Sequence, residues 1–174
     1  MNSRGWQPAD RNGQSTTLKG SYESLTMSTF TQIYYHIVFS TKDRKPVLLA
    51  AHRKPLFGYI WGIIKNNMGH VYRINGVEDH LHIFTSLHPS VCLADLVKAI
   101  KISAGLWIKS EGLCPGFTHW QNGYGAFTHS NAEKGALIAY VRGQEEHHKK
   151  TAFQDELRKL LVEAGIEYDE RYLL

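Results

Sequence analysis

His80-Leu81-His82, near the middle of the chain, sets two imidazoles two residues apart. On a β-strand such residues point to one face, where they can grip a single metal ion together. The run from Asp79 to Leu87 alternates polar and apolar and reads as a half-buried strand. His80, His82 and Phe84 then share one face, and Leu81, Ile83 and Thr85 the other. With 10 histidines among 174 residues, a His-x-His pair alone is a weak motif. A second group lies downstream in Tyr140-Val141-Arg142-Gly143-Gln144-Glu145-Glu146-His147-His148. Residues four apart stack on one helix face, so Tyr140, Gln144 and His148 line up, with His147 close by. Each has a plain structural explanation: a core aromatic with a wet hydroxyl, a solvated amide, and histidines whose positive charge suits a helix C-terminus. Neither group by itself decides a chemistry.

The composition narrows the setting. Hydrophobic residues at 43% and charged residues at 21% are ordinary for a soluble globular protein. A net charge of +4 and a pI near 9.0 lean towards a polyanionic partner. Cys92 and Cys114 lack paired metal-ligand spacing and read as small thiols in a reducing compartment. No apolar run reaches the length of a membrane span and no signal-peptide pattern opens the chain, so the expected location is cytoplasmic.

The elements that must position the two groups follow from periodicity. Residues 1–26 are rich in Gly, Ser, Thr, Asn and Gln without an apolar period, which predicts a disordered N-terminal extension. Met27 opens the patterned part, and 27–174 is expected to form a single domain. A first strand is predicted over 30–40, then the basic turn Lys42-Asp43-Arg44-Lys45-Pro46, then a helix over 55–67 with Pro55 in its first turn. A second strand covers 70–77 and leads into the histidine strand. Ser90 is the expected N-cap of a helix over 91–109, striped by Leu93, Leu96, Val97, Ile100, Ala104 and Trp107. A short fourth strand covers 124–128. Ser130-Asn131-Ala132-Glu133 reads as a capping box opening a helix to about His148, and Thr151-Ala152-Phe153-Gln154 as a second, opening a helix that Gly165 ends. This order gives an α+β ferredoxin-like (RRM-like) antiparallel sheet, with two helices on one face and the other face free for a site, followed by C-terminal helices.

His-Leu-His on a strand followed by Tyr-x-x-x-Gln on a late helix resembles the single-tyrosine HUH transposases. These serve the smallest bacterial insertion sequences and include the related repeat-associated tyrosine transposases. The resemblance extends to Tyr35-His36-Ile37-Val38-Phe39-Ser40-Thr41-Lys42-Asp43-Arg44, to Trp120-Gln121-Asn122-Gly123-Tyr124-Gly125-Ala126-Phe127, and to the stretch from Thr151 to Glu156. It covers 27–174 and leaves the first 26 residues without a counterpart. It implies that His80, His82 and Gln144 hold Mg²⁺ or Mn²⁺, and that Tyr140 is the catalytic nucleophile. That residue would form a 5′-phosphotyrosine with a free 3′-hydroxyl, and strand transfer would rejoin the DNA. The implied substrate is single-stranded DNA with hairpin ends. The implied assembly is a homodimer in which one chain's tyrosine helix completes the other's histidine site. Lys42, Arg44, Lys101, Arg142, Lys149 and Lys150 are the candidate DNA phosphate contacts. Two other readings stand beside this one. A non-catalytic single-stranded nucleic-acid-binding module would use aromatic stacking on the same sheet. A metal-dependent nuclease would use His80, His82, His147 or His148 as ligands and water as nucleophile.

Overall fold

The computed structural model describes residues 30–173, apart from the Tyr172 side chain. The fold is that of the compact unit Thr31–Leu174; the extension expected over 1–26, and Met27, lie outside the described residues. β1 (Tyr34–Ser40), β2 (His70–Gly76), β3 (His80–Ser86) and β4 (Gly125–His129) form one antiparallel sheet in the order β2-β3-β1-β4. With α1 (Ala50–Asn66) between β1 and β2, and α2 (Leu93–Ser110) between β3 and β4, this is the expected ferredoxin-like arrangement. The β2–β3 turn falls at residues 77–79, where the Val77 amide donates to the His80 carbonyl at 3.1 Å. A Cβ on Gly76 would collide with that carbonyl, so glycine is what lets β2 fold back so tightly.

Strand alternation sends Ile37, Phe39, Ile74, Leu81 and Ile83 to one face. There they meet Leu56, Ile60 and Ile64 of α1 and Leu96, Ile100, Ala104 and Ile108 of α2 in the main apolar cluster. Burying each such side chain is worth about 1.5–3 kcal/mol. Two helix starts differ from expectation. α1 begins at Ala50, which leaves Pro55 in the second turn, where it cannot donate back to Ala51. α2 begins after Cys92 with no side-chain cap, because the Ser90 hydroxyl is engaged with His88 Nδ1 at 2.7 Å.

The other face is covered rather than free. α3 (Lys134–Arg142) lays Leu137 and Val141 on Tyr34 and Phe84. α5 (Phe153–Glu163) lays Phe153, Leu157, Leu160 and Leu161 on Val38 and Phe127. The histidine strand is therefore buried on both faces, not half-buried. Both helices carry an apolar stripe at helical spacing, and the unused sheet face is the surface that buries it. At the sheet edge, Arg53 of α1 donates to the Gly76 carbonyl and to Glu145 at 3.1 and 3.2 Å, and pairs with Glu78 at 3.5 Å. One buried guanidinium thus joins α1, the β2–β3 turn and the segment after α3. Among the described residues no helix is long and apolar enough to cross a membrane.

Candidate metal and tyrosine site

The floor of the site is laid by β1 and β3, whose register sets Val38 opposite His82 and Ser40 opposite His80. Alternation keeps His80, His82 and Phe84 on the face away from α1 and α2, as expected. His36 of β1 joins them: its Nε2 lies 2.9 Å from His82 Nδ1, and the two rings stack. His80 Nδ1 lies 2.6 Å from Asp79 Oδ1. A carboxylate only accepts, so this ring carries its proton on Nδ1 and presents a lone pair at Nε2.

The roof comes from the C-terminal helices. The helix expected to run unbroken to His148 bends at Gly143, giving α3 and a short α4 (Gln144–His147). The Gly143 amide closes α3 on Ala139 O at 3.0 Å, and its carbonyl opens α4 by accepting from the Glu146 and His147 amides at 3.1 and 3.0 Å. Tyr140, Gln144 and His148 keep a common side across this break, since all three reach Glu156. The Tyr140 ring stands 5.9 Å from His36 and 6.1 Å from His82, in the same chain. The first capping box forms, with Glu133 accepting from the Ser130 amide at 2.8 Å and from its hydroxyl at 2.6 Å. The second does not. Ala152 occupies the N-cap of α5, and the Thr151 carbonyl instead accepts from His148 Nδ1 at 2.9 Å. That bond puts a proton on His148 Nδ1, as Asp79 does for His80; burial lowers His148, but Glu156 beside its Nε2 more than reverses this and raises it above its ordinary value.

α5 supplies the centre of the site. Phe153 stacks on the His80 ring, and Glu156, one turn later on the same helix face, points between the histidines. Its Oε1 accepts from the Tyr140 hydroxyl, and from Gln144 Nε2 at 3.0 Å. Its Oε2 lies 2.9 Å from His148 Nε2, 3.4 Å from His82 Nε2 and 3.8 Å from His80 Nε2. His80, His82, His148 and Glu156 each offer one ligand atom, all within 4.8 Å of one another. Glu156 was not singled out from the sequence, and His148 was only a ligand of the rival nuclease.

Two facing ring nitrogens test whether this set suits a cation. His80 Nε2 and His148 Nε2 are 2.9 Å apart, yet each ring has its proton fixed on the far nitrogen. A proton on His148 Nε2 would relieve that pair and bond Glu156 Oε2 at 2.9 Å, but would leave His82 Nε2 and Gln144 Oε1 without partners. A divalent cation would relieve it together with His82 Nε2, Gln144 Oε1 and Glu156 Oε2, all buried without a hydrogen-bond partner. The residues fit a metal ion, and Asp79, Thr151 and His36 are the outer groups that orient its imidazoles.

The electrostatics follow from this packing. Burial pulls His82 down to about 4 and His36 well below its ordinary value, and it lowers His80 despite Asp79. Burial pushes the Glu156 carboxyl up, but its contacts with His148 and His82 more than reverse that and hold it far below the carboxylate range. Burial, then the Glu156 charge, raises Tyr140 far above an ordinary phenol. The resting pair is thus a protonated phenol donating to a carboxylate.

The predicted phosphate contacts differ in how they are engaged. Lys42 pairs with Asp43 at 2.8 Å, and Lys149 with Glu146 at 2.6 Å. Arg44 is half-buried, with Arg142 and Lys150 exposed. Lys101 donates to the Gln121 and Gly123 carbonyls at 2.5 and 2.7 Å, so here it holds the loop before β4.

Residues 29–144 match the family model described as "Transposase IS200 like". No curated protein matches the chain. Among solved structures, a candidate transposase from Deinococcus radiodurans R1 is similar at 21% identity and TM-score 0.53, over 67% of this chain and 95% of that one. A REP-associated tyrosine transposase, solved bound to a REP hairpin, is similar at 15% identity and TM-score 0.53, over 70% of this chain and 74% of that one. At these identities the likeness is one of fold.

Proposed function

The chain belongs to the IS200-like transposase family, and from that premise we propose that it is a metal-dependent single-stranded DNA transposase with Tyr140 as its nucleophile. The observation that carries this reading is the convergence of the Tyr140 hydroxyl and three histidines on one buried carboxylate, Glu156. His80, His82 and His148 would hold the ion with Glu156, and Gln144 would add its free Oε1. When bound, the ion would polarise and orient the scissile phosphate. Three imidazoles are nitrogen-rich for Mg²⁺, which prefers an octahedron of oxygens, so the donor set favours Mn²⁺ or a similar transition ion.

Tyr140 attacks phosphorus, leaving a 5′-phosphotyrosine and a free 3′-hydroxyl. The phosphotyrosine preserves the bond energy, so a second 3′-hydroxyl rejoins the strand without ATP. Lys42, Arg44, Arg142, Lys149 and Lys150 hold phosphates of a single-stranded substrate with hairpin ends. A homodimer brings two nucleophiles to two DNA ends, and the within-chain contacts favour each copy using its own tyrosine. A nuclease using water suits the His148 and Glu156 ligands, but would leave no covalent product.

The test is incubation with Mn²⁺ and single-stranded DNA from the flanks of its own gene, followed by denaturing electrophoresis. An SDS-stable protein–DNA adduct is expected, absent in Tyr140→Phe and in His80→Ala with His82→Ala. Strong cleavage by Tyr140→Phe would sink the tyrosine mechanism. Mixing Tyr140→Phe with His80→Ala protein should restore no adduct; recovery would mean that chains exchange tyrosines.

A further inference from the structure

We propose that Glu156 is a catalytic residue of the tyrosine reaction, receiving the phenol proton of Tyr140 on Oε1 as the bond to phosphorus forms. The inference rests on Tyr140 being the nucleophile. Its basis is the way one carboxylate divides its two oxygens. Oε2 faces His148 at 2.9 Å and His82 at 3.4 Å, which leaves it on the histidine side. Oε1 faces the other way, accepting from the Tyr140 hydroxyl and from Gln144 Nε2 at 3.0 Å. Glu156 is 3% exposed, so water does not compete for the phenol proton there. The neighbouring candidate is weaker: His147 Nε2 lies 3.7 Å from the same Oε1, and the Tyr140 hydroxyl donates to Glu156 instead.

The balance of the step is simple. The Tyr140 O–H bond breaks and its proton passes to Glu156 Oε1, while the phenol oxygen's electron pair forms the O–P bond. The P–O3′ bond breaks, and its electron pair leaves on O3′, which takes a proton from water. In rejoining, an incoming 3′-hydroxyl gives its proton to water and attacks phosphorus; the departing phenol oxygen takes back the proton stored on Glu156. A phenol becomes far more acidic as its oxygen bonds to phosphorus, so a weak base already in contact is sufficient. Gln144 keeps Oε1 aimed by donating to it from the same helical face as Tyr140.

The experiment measures adduct formation by the full chain with hairpin-bearing single-stranded oligonucleotides from its gene flanks, each variant being saturated with Mn²⁺ as judged by calorimetry. Glu156→Gln, nearly isosteric, should slow the adduct by about 10²–10⁴-fold, the usual range for a lost general base. Replacing Tyr140 by 3,5-difluorotyrosine, whose phenol ionises without help, should return at least about a tenth of the rate in Glu156→Gln but change the parent protein little. No gain from difluorotyrosine in Glu156→Gln, or a Glu156→Gln rate close to the parent's, would overturn the proposal. If Glu156→Gln fails to fold, a fluorotyrosine series at position 140 of the parent protein decides. A nearly flat rate supports proton transfer to Glu156, and a steep rise with phenol acidity overturns it. Adduct formation by Tyr140→Phe would instead overturn the tyrosine reading itself, and this proposal with it.

Discussion

On one side of β3, Leu81 and Ile83 sink into the apolar cluster of α1 and α2; on the other, His80 and His82 on the same strand meet imidazoles, a carboxylate and a phenol. All four side chains are fully buried. The apolar face gains its stability by removing carbon from water, and any side chain of similar shape would serve there. The histidine face buries groups that water would otherwise satisfy, so it is stable only with every lone pair accounted for. A ligand is built into that second face in a way it is not into the first.

The contrast can be broken from either side. Leu81→Ala should cost about 2–5 kcal/mol of folding stability, a fall of about 5–15 °C in melting temperature, with the Mn²⁺ response intact. A Leu81→Ala variant that keeps its stability but loses the Mn²⁺ response would mean the faces are not independent. Saturating Mn²⁺ at about a hundred times its dissociation constant should stabilise the parent protein by about 2.7 kcal/mol. Asp79→Asn should weaken Mn²⁺ binding by about 10–100-fold while leaving stability without metal nearly unchanged, because its main partner is the His80 ring that it orients. Calorimetric titration and thermal melts read both. Gly143→Ala should have the smallest effect. A Cβ there meets nothing nearer than the Ala139 carbonyl at 3.4 Å, so a gain of about 0.5 kcal/mol is expected, with adduct formation retained. Loss of the adduct would show that the bend itself matters.

The apolar face was legible because its signal is periodic. Alternation in β1 and β3, and the stripe of α2, depend on residues close in sequence. The assignment of His80, His82 and Phe84 to one face held for the same reason, as did the four-residue spacing of Tyr140, Gln144 and His148. What alternation could not convey is that the histidine face is covered: His-x-His-x-Phe looks half-exposed until helices more than fifty residues later close over it. Helical spacing from Phe153 sets Glu156 on the buried stripe and the exposed Asp155 off it, but that its carboxylate meets the histidines depends on the same long-range packing. The second capping box failed because the helix starts one residue on, with Ala152 as its N-cap, so the Thr151 hydroxyl is out of register with the first turn. The pairing of His36 with His82 could have been found by setting the two strands side by side, one cross-strand neighbour from the motif.

Arg53 bears on how this protein can be recombined with its relatives. Its guanidinium reaches both the turn before the histidine strand and Glu145, 92 residues along the chain. The family match ends at Gln144, one residue short of that partner. A chimera joined at this natural-looking boundary would inherit Arg53 from one parent and Glu145, His148 and Glu156 from the other. Crossovers placed before α3 keep His148 and Glu156 with Tyr140 but still divide Arg53 from Glu145, so every such hybrid inherits a mismatch at the sheet edge unless both parents carry the same pair.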